Sequence, residues 1–85
     1  DALRHPEAAV REHAIIGLGK IQDVRVAPLM IEMLNDPERI VQKQAMQSLG
    51  ELKDERAVSV LKEIASKRAD REMSALAKQM LELIK

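Results

Sequence analysis

Two histidines, His5 and His13, with the neighbouring carboxylates Glu7 and Glu12, come closest in this 85-residue chain to metal-binding or acid–base chemistry. A transition-metal centre needs several imidazole, thiolate or carboxylate ligands converging from different elements, and the chain holds no cysteine to add to its two histidines. The carboxylate pairs Glu7 with Glu12, and Asp54 with Glu55, would need an apolar pocket to raise one member of the pair for proton transfer. Nothing in the flanking residues supplies one, so they read as helix caps and solvated faces. The three glycines, Gly17, Gly19 and Gly50, lie in helix bodies or ends rather than in a phosphate-cradling loop. The chain is therefore expected to be non-catalytic, with no metal and no cofactor. His5 reads as a helix-start residue and His13 as structural or exposed.

Composition narrows the classes further. Hydrophobic residues make up 46% and charged residues 33%, with 14 basic against 14 acidic side chains, which describes a folded domain rather than a disordered or polybasic segment. Phe, Tyr and Trp are all absent, so the usual platforms for stacking bases or flat cofactors are missing. The later cations Lys62, Lys67, Arg68, Arg71, Lys78 and Lys85 are interleaved with Glu63, Asp70, Glu72 and Glu82. With zero net charge this reads as solvated helix surface, and no nucleic acid is expected as a partner. No apolar run reaches the roughly 18 residues of a membrane span, so no membrane partner is expected either. The lack of cysteine fits a reducing compartment, and a cytoplasmic location is expected.

The elements that must position these residues form a repeat. At an offset of 31, residues 5–35 fall on 36–66 with nine identities, where composition alone would give roughly two. They pair Pro6 with Pro37, Glu7 with Glu38, Val10 with Val41, Ala14 with Ala45, Leu18 with Leu49, Gly19 with Gly50, Asp23 with Asp54, Arg25 with Arg56, and Glu32 with Glu63. A partial third copy over 67–85, with one extra loop residue near Ser66 to Asp70, sets Met73, Ala77, Leu81 and Ile84 on Val41, Ala45, Leu49 and Leu52. Each unit carries apolar residues at helical spacing, Val10, Ala14, Leu18 and Ile21 and then Val26, Met30, Met33 and Leu34. Five helices are predicted, near Pro6–Gly19, Val24–Leu34, Pro37–Gly50, Glu55–Ser66 and Arg71–Ile84. Asp36-Pro37-Glu38 should supply an N-cap, a proline at the first helical position and an acid on the dipole, with His5-Pro6-Glu7 as a weaker copy. Asp23, Asp54 and Asp70 should cap three further helices, and Gly19 and Gly50 should end the first helix of each unit. Pro28 conflicts with an uninterrupted helix from Asp23. A 3₁₀-like turn over Val24 to Ala27 followed by a helix from Pro28 would remove the conflict and make Ser59 a cap in the next unit.

Small residues, Ala14 and Gly17 in one unit and Ala45 and Ser48 in the next, should let the stacked helices approach closely. Glu12 over Lys43 and Lys20 over Glu51 could then pair across units. The methionines Met30, Met33, Met46, Met73 and Met80 fall on or beside the apolar stripe and read as core filling.

The blocks VREHAIIGLGKIQDVRVAPLMIEML and VQKQAMQSLGELKDERAVSVLKEIA resemble HEAT-like repeats of the short, phycobilisome-lyase type. The resemblance rests on Val10-Arg11, Ala14, Leu18-Gly19 and Asp23-x-Arg25 with Pro28, and on Val41, Ala45, Leu49-Gly50 and Asp54-x-Arg56. Gln42 stands where that family usually has arginine, and Met80 replaces a small residue. Ankyrin and tetratricopeptide arrays have similar periods but carry a Thr-Pro-Leu-His block or aromatic anchors that this chain lacks. The resemblance implies an all-α, right-handed α-α superhelix of about two and a half units in one module, 1–85, read as part of a longer array. Residues 1–4 then resemble the tail of an earlier second helix. HEAT-type deoxyhypusine hydroxylases carry His-Glu metal motifs where Glu12-His13 falls, but the order here is reversed and the next unit has Lys43-Gln44.

By the same resemblance the function is protein–protein interaction or scaffolding, with the second helices lining a concave face. Their outward positions would be Arg25, Leu29, Glu32, Arg56, Val60 and Glu63, and these are the expected residues for binding a protein partner. The alternative is a HEAT segment of a larger enzyme, of bilin-lyase or tRNA-modifying reductase type, that positions substrate or partner. End-to-end self-association is also expected, because the first helix lacks most of an upstream neighbour and Met73, Ala77, Leu81 and Ile84 lack a following helix.

Overall fold

The structure is a computed structural model and describes residues 2–67 and 70–84. It is helical throughout the regular elements described: α1 (Ala8–Ile21), α2 (Ala27–Met33), α3 (Arg39–Leu52), α4 (Val58–Ala65) and α5 (Arg71–Ile84), with 3₁₀ turns at Ala2–Arg4, Val24–Val26 and Glu55–Ala57. The first helices stack in order, α1 on α3 and α3 on α5, while α2 packs on α3 and α4 on α5. Equivalent helices are thus brought side by side, which is how a repeat too small to bury its own apolar face acquires a core. That core holds Ile15, Met30, Met46, Leu49 and Leu61, all fully buried, with Val41, Ala45, Ala57 and Ala77 between them. Full burial of each large side chain contributes about 1.5–3 kcal/mol. Met33 and Met73 are also buried and Met80 packs against the cluster, so the methionines fill the core as their spacing required.

The Pro28 conflict is resolved by a 3₁₀ turn at Val24–Val26, after which Pro28 lies at the first positions of α2, where its missing N–H has no partner to lose. Ser59, the equivalent residue, does not act as a cap; it lies inside α4, which starts from Ala57 without a side-chain cap.

The first helices of the two complete units start and end about two residues later than expected. Asp36 Oδ1 accepts from the Glu38 N–H at 2.9 Å and His5 Nδ1 accepts from the Glu7 N–H at 3.0 Å, so both form a tight turn outside the helix instead of capping it. Pro37 and Glu38 consequently precede α3, and Glu38 is its N-cap residue without a side-chain cap bond. At the other end, Gly19 and Gly50 do not terminate their helices. Chain reversal falls on Gln22 (φ 54°) and Lys53 (φ 55°), both left-handed.

The glycines serve packing instead. A Cβ on Gly50 would run into Met80 Sδ of α5, and one on Gly19 would sit 3.0 Å from Ser48 Oγ of α3. Ala45 and Ser48 are buried as expected, but Gly17 is exposed and a Cβ there would meet nothing within 4 Å, so it takes no part in the close approach. Met73 and Ala77 are covered by the core, which corrects the expectation of an open edge there; Leu81 and Ile84 are half-buried. The extra residue is expected in the loop near Ser66 to Asp70, of which Arg68 and Ala69 lie outside the described residues. Among the described residues no helix is long and apolar enough to cross a membrane.

Candidate protein-interaction surface

The two Asp-x-Arg turns are built alike. Asp23 Oδ1 accepts from the Arg25 N–H at 2.9 Å, and Asp54 Oδ1 from the Arg56 N–H at 2.8 Å, while each arginine folds back on the same carboxylate. The Arg25 hydrogen bonds hold the Asp23 carboxyl down to about 2, and the Arg56 bonds lower Asp54 in the same way. Arg25 and Arg56 are therefore placed by the aspartate of their own turn. Asp70, the third expected cap, accepts from the Met73 N–H at 3.2 Å.

On α2, Leu29 and Glu32 lie beside Leu3 and Arg4, and Glu32 pairs with Arg4 at 3.5 Å. Leu29 is 39% exposed, whereas its equivalent on α4, Val60, is half-buried and Glu63 is exposed. Of the six expected residues, the structure thus groups Leu29 with Glu32 on one helix, Val60 with Glu63 on another, and sets each arginine in the turn preceding its helix.

A stronger ion pair lies where none was foreseen. Arg11 of α1 forks onto Asp36, Nε to Oδ2 at 2.8 Å and Nη2 to Oδ1 at 3.1 Å, and also donates to the carbonyls of His5 and Pro6. Both side chains are largely out of water, at 11% and 5% exposure. Burial pushes the Asp36 carboxyl up, but the Arg11 hydrogen bonds and the Glu38 N–H outweigh it and hold the group below its ordinary value. This pair joins the start of α1 to the connection before α3. The signal for it in the chain is a joint loss: one repeat later the same two positions are Gln42 and Lys67, and Gln42 turns back to donate to the Asp36 carbonyl.

The expected Glu12–Lys43 and Lys20–Glu51 pairs do not form. Lys43 reaches Glu72 of α5 at 3.2 Å, and Arg39 reaches Asp70 at 2.9 Å and Glu72 at 3.4 Å. The cations of α3 thus meet acids at, and just before, the start of α5. His13 is exposed, and among the described residues no group of three or more His, Cys, Asp or Glu is placed to hold a metal ion.

A family pattern described as HEAT repeats matches residues 1–82, nearly the whole chain. The chain belongs to the HEAT repeat family. The stacked first helices and the repeated Asp-x-Arg turns are what this HEAT chain builds from that pattern, and HEAT repeats commonly serve as interaction and scaffolding modules. A comparison with curated proteins gives no match.

Proposed function

We propose that this chain is a non-catalytic, cytoplasmic protein-interaction module made of HEAT units 5–35 and 36–66 and a half unit 67–85. Its partner docks on the row Arg25, Leu29, Glu32, Arg56, Val60 and Glu63. The observation that carries the reading is the exposure of Leu29, an apolar side chain lying off the buried face Ala27–Met30–Met33 of α2, with Val60 at the equivalent position of α4. An apolar centre bordered by charges already held in fixed geometry has the anatomy of a modest interface and loses little side-chain entropy on binding.

The test replaces Leu29 and Val60 together by serine and compares capture of protein partners by the two forms, alongside far-UV circular dichroism and thermal melting. Partners lost from a variant that stays helical, with a melting temperature lowered only slightly by the half-buried Val60, support the row. A folded variant that captures the same partners equally well removes this face from consideration.

A further inference from the structure

The groove between α1 and α3 differs from its counterpart one unit later. In each, a glycine of the earlier helix faces a residue of the later one: Gly50 faces Met80 of α5, and Gly19 faces Ser48 of α3. With Met73 set on Val41, the α3 residues Gln44, Ser48 and Glu51 correspond to Leu76, Met80 and Leu83 of α5. The same frame thus carries three apolar side chains in the later groove and three polar ones in the earlier. Met80 fills its place, its Sδ crowding the position of a Cβ on Gly50, whereas Ser48 stops at Oγ. Beside Ser48 lies a hollow of about 240 Å³, bounded by Ile16, Lys20 and Gln22 from the α1 side and by Gln44 and Glu51 from α3. Its walls and floor come from two helices packed on each other, and α5, which also packs on α3, leaves it open.

Ser48 is only 1% exposed, yet its hydroxyl makes no hydrogen bond among the described residues, and it borders the hollow. Ser74, the other buried serine, donates to the Ala65 carbonyl at 2.6 Å. A hydroxyl taken out of water without a partner is costly, so an arrangement that leaves one facing a hollow calls for a role. The side chains of Lys20, Gln22, Gln44 and Glu51 likewise make no hydrogen bond or ion pair among the described residues.

Size, charge and polarity together define the guest. The hollow is smaller than the roughly 300–1,000 Å³ of pockets that enclose whole small ligands, and suits one side chain. Lys20 and Glu51 stand on opposite walls and balance, which favours an uncharged guest. The Ser48 hydroxyl and the two glutamine amides each donate and accept, so the guest must do both. Its reach is that of the methionine that fills the counterpart groove. Glutamine is as long as methionine and ends in a group with two donors and an acceptor.

We propose that the α1–α3 hollow receives a glutamine side chain presented by a protein partner. Its carboxamide would meet Ser48 Oγ, Gln44 and Gln22, with its methylene groups on Ile16. An aliphatic side chain would leave these polar groups unpaired, and a charged one would meet its like in Lys20 or Glu51. The hollow lies on the first helices and the Leu29–Val60 row on the second, so failure of either leaves the other standing.

The probe is N-acetyl-glutamine amide, titrated into the ¹⁵N-labelled chain, with the blocked amides of methionine, glutamate and lysine and free glutamine as controls. The expected result is movement of the amide signals of Gly19, Lys20, Gln44 and Ser48. Blocked glutamine should bind about tenfold more tightly than blocked methionine, the scale of one net hydrogen bond. Ser48→Ala should cost about tenfold in affinity without lowering the melting temperature, since it removes a hydroxyl that has no partner in the fold. Ser48→Met, which repeats the Gly50–Met80 arrangement, should abolish binding by filling the hollow. The proposal is overturned if blocked glutamine moves no signals up to its solubility limit, if blocked methionine or a charged probe binds as tightly, or if both Ser48 variants bind unchanged. Tighter binding of free glutamine than of the blocked form would overturn it as well, by marking a site for an amino acid instead of a partner's side chain.

Discussion

Replacing each of the three glycines by alanine separates helix propensity from helix packing within one molecule. Among the described residues no glycine has a positive φ, so an added methyl group meets no backbone penalty. Alanine is better than glycine inside a helix by about 1 kcal/mol, and this gain is common to all three. At Gly17 the new Cβ meets nothing within 4 Å, so the whole gain of about 1 kcal/mol should appear. At Gly19 the methyl group presses on Ser48, Oγ at 3.0 Å and Cβ at 3.4 Å, and a shift of a few tenths of an ångström should cancel most of it. At Gly50 it runs into Met80 Sδ and lies 3.1 Å from both Cβ and Cγ. The sulfur can rotate away, but Met80 Cβ is fixed to the α5 backbone. Helices α3 and α5 must therefore move apart, and overpacking of this kind costs about 1–3 kcal/mol. The net result for Gly50→Ala is a loss of about 0–2 kcal/mol, from the difference of those two figures. For a chain of this size 1 kcal/mol is worth about 4–8 °C in Tm, so thermal and urea unfolding followed by circular dichroism resolve the order Gly17→Ala above Gly19→Ala above Gly50→Ala. Gly50→Ala should regain its propensity advantage in a Met80→Ala background. If Gly50→Ala stabilises as much as Gly17→Ala, close approach of α3 and α5 is not what places a glycine there.

Breaking the Arg11–Asp36 pair from one side, as in Arg11→Met, leaves a carboxylate with little access to water without its partner and should lower the urea midpoint clearly, whereas Arg25→Ala, at an exposed side chain, should leave it nearly unchanged. Acid should unfold the chain through Asp23, Asp36, Asp54 and Asp70: their carboxyls are lower in the folded state than the ordinary value near 4, so the stability they confer is complete above that value and is lost as pH falls toward 2, the level reached by Asp23. A Tm that is flat above about pH 5 and falls steeply below about pH 4 is the expected profile, and Asp36→Asn should flatten it. Lys53→Gly should stabilise by up to about 1 kcal/mol, because it relieves a left-handed residue at the end of α3, and thermal melting reads this directly.

The chain by itself determined the five helices, the 31-residue period, the identity of the core methionines and the Asp-x-Arg turns, because each rests on interactions between residues two to four apart or on a face that repeats with the helix. The turn at Pro28 was legible for the same reason: a proline has only a few places in a helix where its missing donor is harmless. The starts of α1 and α3 fall two residues later than the spacing predicts because His5 and Asp36 accept from the N–H of Glu7 and Glu38 ahead of the helix rather than inside it, and the pairing of Asp36 with Arg11, 25 residues away, accompanies that arrangement. Gly50 looked like a helix terminus and became a contact surface, since only the arrival of Met80 from α5 shows that a side chain has no room there. Charge followed the same rule. Lysines and glutamates that alternate in sequence fall on different sides of a helix, and the tertiary structure alone decided that Asp70 and Glu72 would meet Arg39 and Lys43 of α3.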